Sequence, residues 1–76
     1  MKELVEFLAK SLVDNPDEVR IRVRERDDQT VLELSVDPAD LGKIIGRQGR
    51  TARAIRTVVA AAGLKSRRRY TVDILD

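Results

Sequence analysis

The 76-residue sequence contains no cysteine, histidine or tryptophan. Without cysteine there are no disulfides and no thiolate metal sites, which fits a reducing cytosol. The missing histidine removes the commonest general acid–base group and zinc ligand. There is no apolar run near the roughly 20 residues needed to cross a bilayer, and no secretion signal. A chain this short is expected to form one domain, residues 1–76, with a modest core. Carboxylates are scarce in one place: none occurs between Asp40 and Asp73.

That gap divides the charge. Residues 1–40 hold 6 Lys or Arg and 11 Asp or Glu, a net −5, whereas residues 41–76 hold 9 basic and 2 acidic residues, a net +7. A solvated surface usually mixes both signs, so a basic second half points to a polyanion. A metal-dependent nuclease would need carboxylates converging beside that basic surface. With no GxxxxGK[ST] loop either, no catalytic, metal-binding or cofactor-binding residues are assigned and the chain is not expected to be an enzyme.

Apolar periodicity orders the rest. Leu4, Val5, Leu8 and Leu12 form a helical stripe over residues 2–13. Phe7 lies off its centre, at the core margin or in a protein contact. Asn15-Pro16 breaks the helix. Val19, Ile21 and Val23 alternate with arginines in a strand over 18–26, whose arginine face is expected to pair with surface acids. Asp27-Asp28 turns the chain into a second strand over 29–36, with Leu32, Leu34 and Val36 on one face. So short a turn makes the pair antiparallel. Asp37 caps the next turn, with Pro38 at its first position and Asp40 as the acid of a capping box. A short helix, 41–45, and a longer one from about Arg50 to Ala62 follow, the latter ended by Gly63. Ala52, Ile55, Val59 and Ala62 line its buried side. Tyr70, Val72 and Ile74 mark a last strand over 69–75. Two helices between the second and third strands permit a parallel crossover. The expected class is α+β: helix-strand-strand-helix-helix-strand, a three-stranded mixed sheet with helices on one face.

Between the short and long helices lies Gly46-Arg47-Gln48-Gly49. Glycines at both ends of a two-residue tip remove side-chain obstacles and tolerate unusual backbone angles. The following helix directs its free N–H groups and positive dipole end at the same place. Arginines there oppose that dipole. Such a conflict is commonest at functional positions, and a bound phosphate would remove it. A bare GxxG is a weak signal. Ile44-Ile45-Gly46-x-x-Gly49 followed by Ile55, between two helices with a strand on either side, is a much stronger one.

Ile45-Gly46-Arg47-Gln48-Gly49 with Ile55 resembles the signature of the KH domain in its bacterial, type II form. The whole chain, including Asn15-Pro16-Asp17 and Val36-Asp37-Pro38, resembles the stand-alone KhpA (YlqC-like) KH family. The resemblance implies a cytoplasmic protein that binds single-stranded RNA, clamps about four nucleotides, and acts as a post-transcriptional regulator or RNA chaperone. It implies a phosphate clamp at Gly46, Arg47, Gln48 and Gly49. Ile44 and Ile45 would form the apolar face, with Ile45 mostly buried support. Lys43, Arg50 and Arg53 would flank the clamp, and the edge of the second strand at Leu34, Ser35 and Val36 would lie across the groove. It further implies a homodimer and a larger multidomain bacterial KH partner of the KhpB (Jag) kind. Two other readings remain. A duplex-DNA helix-turn-helix reader would need base-reading side chains that the alanine-rich long helix lacks. A protein-interaction or dimerisation module would bind RNA only weakly.

Overall fold

The structure, a computed structural model, describes all 76 residues, Met1–Asp76. Its elements are α1 (Lys2–Leu12), β1 (Arg20–Arg26), β2 (Gln29–Ser35), α2 (Leu41–Ile45), α3 (Arg50–Lys65) and β3 (Arg69–Ile74). Single 3₁₀ turns occupy Pro16–Glu18, Pro38–Asp40 and Arg47–Gly49. β1 and β2 are antiparallel, with Ile21 opposite Leu34 and Val23 opposite Leu32. β2 and β3 are parallel, with Leu32 beside Val72 and Leu34 beside Ile74. The strand order is β1-β2-β3. The helices cover one face, the arrangement of a type II KH fold.

The core lies between that face and the helices: Leu32, Leu34 and Val72 from the sheet meet Val5, Ala9, Ile44, Ile55 and Val59. Leu34, Ile44, Val5 and Val59 are fully buried. On α1 the burial centre is Val5 and Ala9, whereas Leu4 and Leu8 are half-buried and Leu12 is exposed. Hydrophobicity ranks leucine above alanine, but the small side chain is the one that faces the core. Phe7 is not at the core margin; it is 68% exposed. α1 ends at Leu12, and Val13 turns extended (φ −98°, ψ 160°) to place its side chain in the core. On the arginine face of β1, Arg24 pairs with Glu33 at 3.4 Å and Arg20 with Glu18 at 3.8 Å.

Asp37 accepts a hydrogen bond from Ala39 N at 2.9 Å with Pro38 next in the chain, as expected of a cap. Gly63 does not end α3. The helix runs on to Lys65, and the chain reverses with Arg67 at φ +56°. Gly63 is instead a packing glycine. A Cβ there would stand 2.7 Å from Arg68 O and 2.9 Å from Tyr70 Cδ2, so only a hydrogen lets the start of β3 close onto α3. Gly63→Ala gains helix propensity but forces that contact apart, and overpacking of this kind costs about 1–3 kcal/mol. We expect the variant to unfold at lower urea than wild type. An unchanged or raised midpoint would show that β3 can shift without cost.

Candidate nucleic-acid interface

α2 stops because Gly46 takes φ +76°, ψ 173°, a conformation open to glycine. Its N–H still closes onto Gly42 O at 2.8 Å. Gln48 (φ +56°) and Gly49 (φ +74°) are also left-handed, so three of the four GRQG residues lie at positive φ. Gly46 is required twice over. A Cβ there would meet Thr51 of α3, 2.7 Å from its Cβ and 2.9 Å from its N. At Gly49 the surrounding space is open and only the backbone angle asks for glycine. The turn thus lies tightly against the first residues of α3. No side chain caps the helix start at Gly49, so its first N–H groups face the turn unmatched by side chains. Arg47 and Gln48 are exposed at the tip, and Arg50 Nη2 reaches Gln48 Oε1 at 3.4 Å.

Beside the turn runs an open groove of about 370 Å³ between α2, α3 and the end of β3. Leu41, Ile45, Ala52 and Ile74 supply its apolar surface, and Arg53, Arg56 and Asp76 its charges. Ile45 is 38% exposed, whereas Ile44 is in the core. The sequence-based expectation of Ile45 as buried support is therefore reversed: within a short helix, consecutive residues face opposite ways. The expectation that Leu34, Ser35 and Val36 form the groove edge is also corrected. β2 is the central strand, paired on both sides, and Leu34 is fully buried. The strand that meets the groove is β3, through Ile74. Arg56 was not among the expected site residues. It lines the groove, and its Nε donates to Val72 O at 3.2 Å.

This geometry agrees with the comparison to known proteins. The family model for the KhpA/KhpB KH domain matches residues 2–74. The chain belongs to that family. Three relatives bear the name RNA-binding protein KhpA. The one from Borreliella burgdorferi is 55% identical over 74 residues, 97% of this chain and 90% of its own. That from Clostridium perfringens is 52% identical over 75 residues, 99% of this chain and all of its own. That from Aquifex aeolicus is 51% identical over 76 residues, all of this chain and 96% of its own. Among solved structures, an Aquifex aeolicus Era variant bound to GDP.AlF4- superimposes with a TM-score of 0.63 at 23% identity, over 95% of this chain and 28% of that one. That likeness is one of fold. KH domains are binding modules, not enzymes, and no three His, Cys, Asp or Glu side chains of this chain are grouped to hold a metal. No helix is long and apolar enough to cross a membrane.

Behind α2 lies a polar clasp. Asp40, 1% exposed, does not act as a capping-box acid. Its carboxylate accepts from Asp14 N at 3.3 Å, Asn15 N at 3.0 Å and Asn15 Nδ2 at 3.1 Å. Lys43 Nζ lies 3.7 Å from Asp40 Oδ1 and 3.0 Å from Asp14 Oδ2. Lys43, an expected flanking contact, is therefore engaged within the protein. The hydrogen bond and charge of Asp14 raise its pKa. Burial pushes the Asp40 carboxyl up, but the Asn15 and Asp14 N–H groups and Lys43 outweigh it and hold the pKa below the ordinary value. A depressed folded pKa stabilises the fold fully above the unfolded value of about 3.9, and the contribution disappears as pH falls through the lower folded value. Asp40→Asn should melt below wild type at pH 7, and the gap should narrow as pH drops below about 4. Melting curves across pH check this. A gap constant into strong acid would mean that the ionised carboxylate is not what holds the α1–β1 connection.

Proposed function

We propose that this chain binds single-stranded RNA, holding about four nucleotides with the sugar–phosphate chain on the GRQG turn and bases in the adjoining groove. The observation that carries the reading is the turn itself: left-handed glycines bring bare main chain, an uncapped helix start and exposed arginines to the rim of an apolar groove. The role of the turn follows from physical chemistry. Phosphate oxygens accept from main-chain N–H groups at the start of α3, where the dipole favours negative charge. Arg47, Gln48, Arg50 and Arg53 surround that position, and none of the four takes part in an intramolecular ion pair. Ile45 offers an apolar surface for a base; Ile44 supports it from the core. The names of the relatives agree with this reading. In the cell such binding suits a post-transcriptional regulator or RNA chaperone, and the shared family model fits partnership with a larger KhpB-like protein.

The test is Arg47→Asp with Gln48→Asp. Both side chains are exposed and Asp tolerates a left-handed angle, so melting should change little. RNA affinity should fall by about tenfold or more, since hydrogen bonds to charged groups contribute about 1.5–3 kcal/mol. Wild type should also prefer single-stranded RNA to duplex DNA of equal length. A folded double variant that binds like wild type, or a preference for duplex, would overturn the proposal.

A second reading, self-association, is favoured by the 68% exposure of Phe7 on α1. Two copies joined through such a face would present two turns to one RNA and raise the effective concentration of the second. We expect a dimer at micromolar concentration by sedimentation, weakened by Phe7→Glu. A wild-type monomer at far higher concentration would exclude it.

A further inference from the structure

We infer that Arg56 and Asp76 make the groove selective for cytosine. The inference rests on the proposed placement of RNA along the GRQG turn. Arg56 is restrained before any ligand arrives, because its Nε donates to Val72 O at 3.2 Å. That bond ties the guanidinium to β3 and leaves the terminal nitrogens, Nη1 and Nη2, for the groove. Asp76 lines the same groove. No ion pair of the structure includes Arg56 or Asp76, so the two charges stand apart with space between them. The surface around them is apolar, through Ile45 and Ile74. A base lying on that surface would present its edge to one fixed fork of donors and one acceptor-only carboxylate.

The four bases answer that pair differently. Cytosine carries two adjacent acceptors, O2 and N3, and next to them the N4 amino donor. The fork takes the two acceptors and the carboxylate takes the amino group. Uracil has the same size and the opposite chemistry at two of these positions. Its N3–H faces the guanidinium and its O4 faces the carboxylate, so donor meets donor and acceptor meets acceptor. Adenine offers N1 and its amino group and lacks the second acceptor. Guanine reverses the order on its Watson–Crick edge, placing two donors on the carboxylate and leaving one acceptor for the fork. That arrangement wastes the restrained arginine.

The experiment measures six-nucleotide RNAs by fluorescence anisotropy at fixed salt: oligouridine, and the same strand with its two central bases replaced by cytosine, adenine or guanine. Wild type should bind the cytosine strand tightest, about tenfold tighter than oligouridine, in line with the discrimination of a bidentate contact. Arg56→Lys keeps the charge but loses the fork, and Asp76→Asn keeps the shape but adds a donor. Each should bring the cytosine-to-uracil ratio to about twofold or less. Arg22→Ala, on the exposed face of β1, should leave the ratio as in wild type. Equal wild-type affinities, a preference for any other base, or a ratio that survives both groove variants would overturn the inference. Running the Arg47/Gln48 double variant on the cytosine strand separates the two levels. If it binds weakly while wild type shows no base preference, selectivity alone fails. If it binds like wild type, the placement of RNA fails and this inference with it.

Discussion

The left-handed backbone at Gly46 joins two helices that could not otherwise meet at this angle, and the site depends on that junction. α2 has five residues, too few to hold a helix by its own hydrogen bonds. It persists because its ends are anchored. Ile44 fills the core at one end. Asp40 ties the other end to the connection between α1 and β1. With both ends held, the chain leaves α2 in one direction, and the close approach of Gly46 to Thr51 fixes where α3 begins. Gln48 then sits left-handed at the tip, a conformation that costs a non-glycine residue roughly 1–2 kcal/mol. That strain is carried by the anchors, not by the turn.

The clasp also gives the charge asymmetry a structural meaning. Lys43 belongs by position to the basic half, yet its ammonium group lies against Asp14 and Asp40 of the acidic half. It joins the halves. Beyond it, the cations nearest the turn have no carboxylate to pair with, because residues 44–72 contain none. An ion pair near a surface is worth little, but a cation left without one keeps its full attraction for a phosphate. The scarcity of acids after Asp40 thus protects the function of the arginines as much as their own number does.

Local features were legible in the sequence, and features set by distant packing were not. The helical and strand periods, the Asp37-Pro38 cap and the glycine turn each depend on a few consecutive residues, and the structure has them where the pattern puts them. Asp40 shows the limit. Its spacing from Asp37 fits a capping box, but its partners come from 25 and 26 residues away. Gly63 has the same lesson in another form: the contact that demands glycine comes from Arg68 and Tyr70, after the chain has turned back. β2 reads as a strand from its own residues, yet nothing in them says that it takes the central position and leaves the groove to β3. Phe7 and Leu12 lie outside the core, and their hydrophobicity alone would have placed them in it.

Arg50, Arg53 and Arg56 show how one residue type acquires different roles from helix geometry. Each step of three residues along α3 turns the side chain by about 60° from the previous one. Arg50 emerges beside the turn, where it reaches Gln48. Arg53 comes round to the groove. Arg56, one step further, meets the sheet and is caught by Val72 O. Freedom decreases along the series while definition of the guanidinium plane increases. A mobile cation near the turn suits a phosphate, which accepts from many directions. A restrained fork suits a base edge, whose acceptors lie in one plane at fixed spacing. The three-residue spacing was the available sequence signal for Arg56. It became informative once β3 was known to lie alongside that flank of the helix, because the strand turns a third surface arginine into part of the groove.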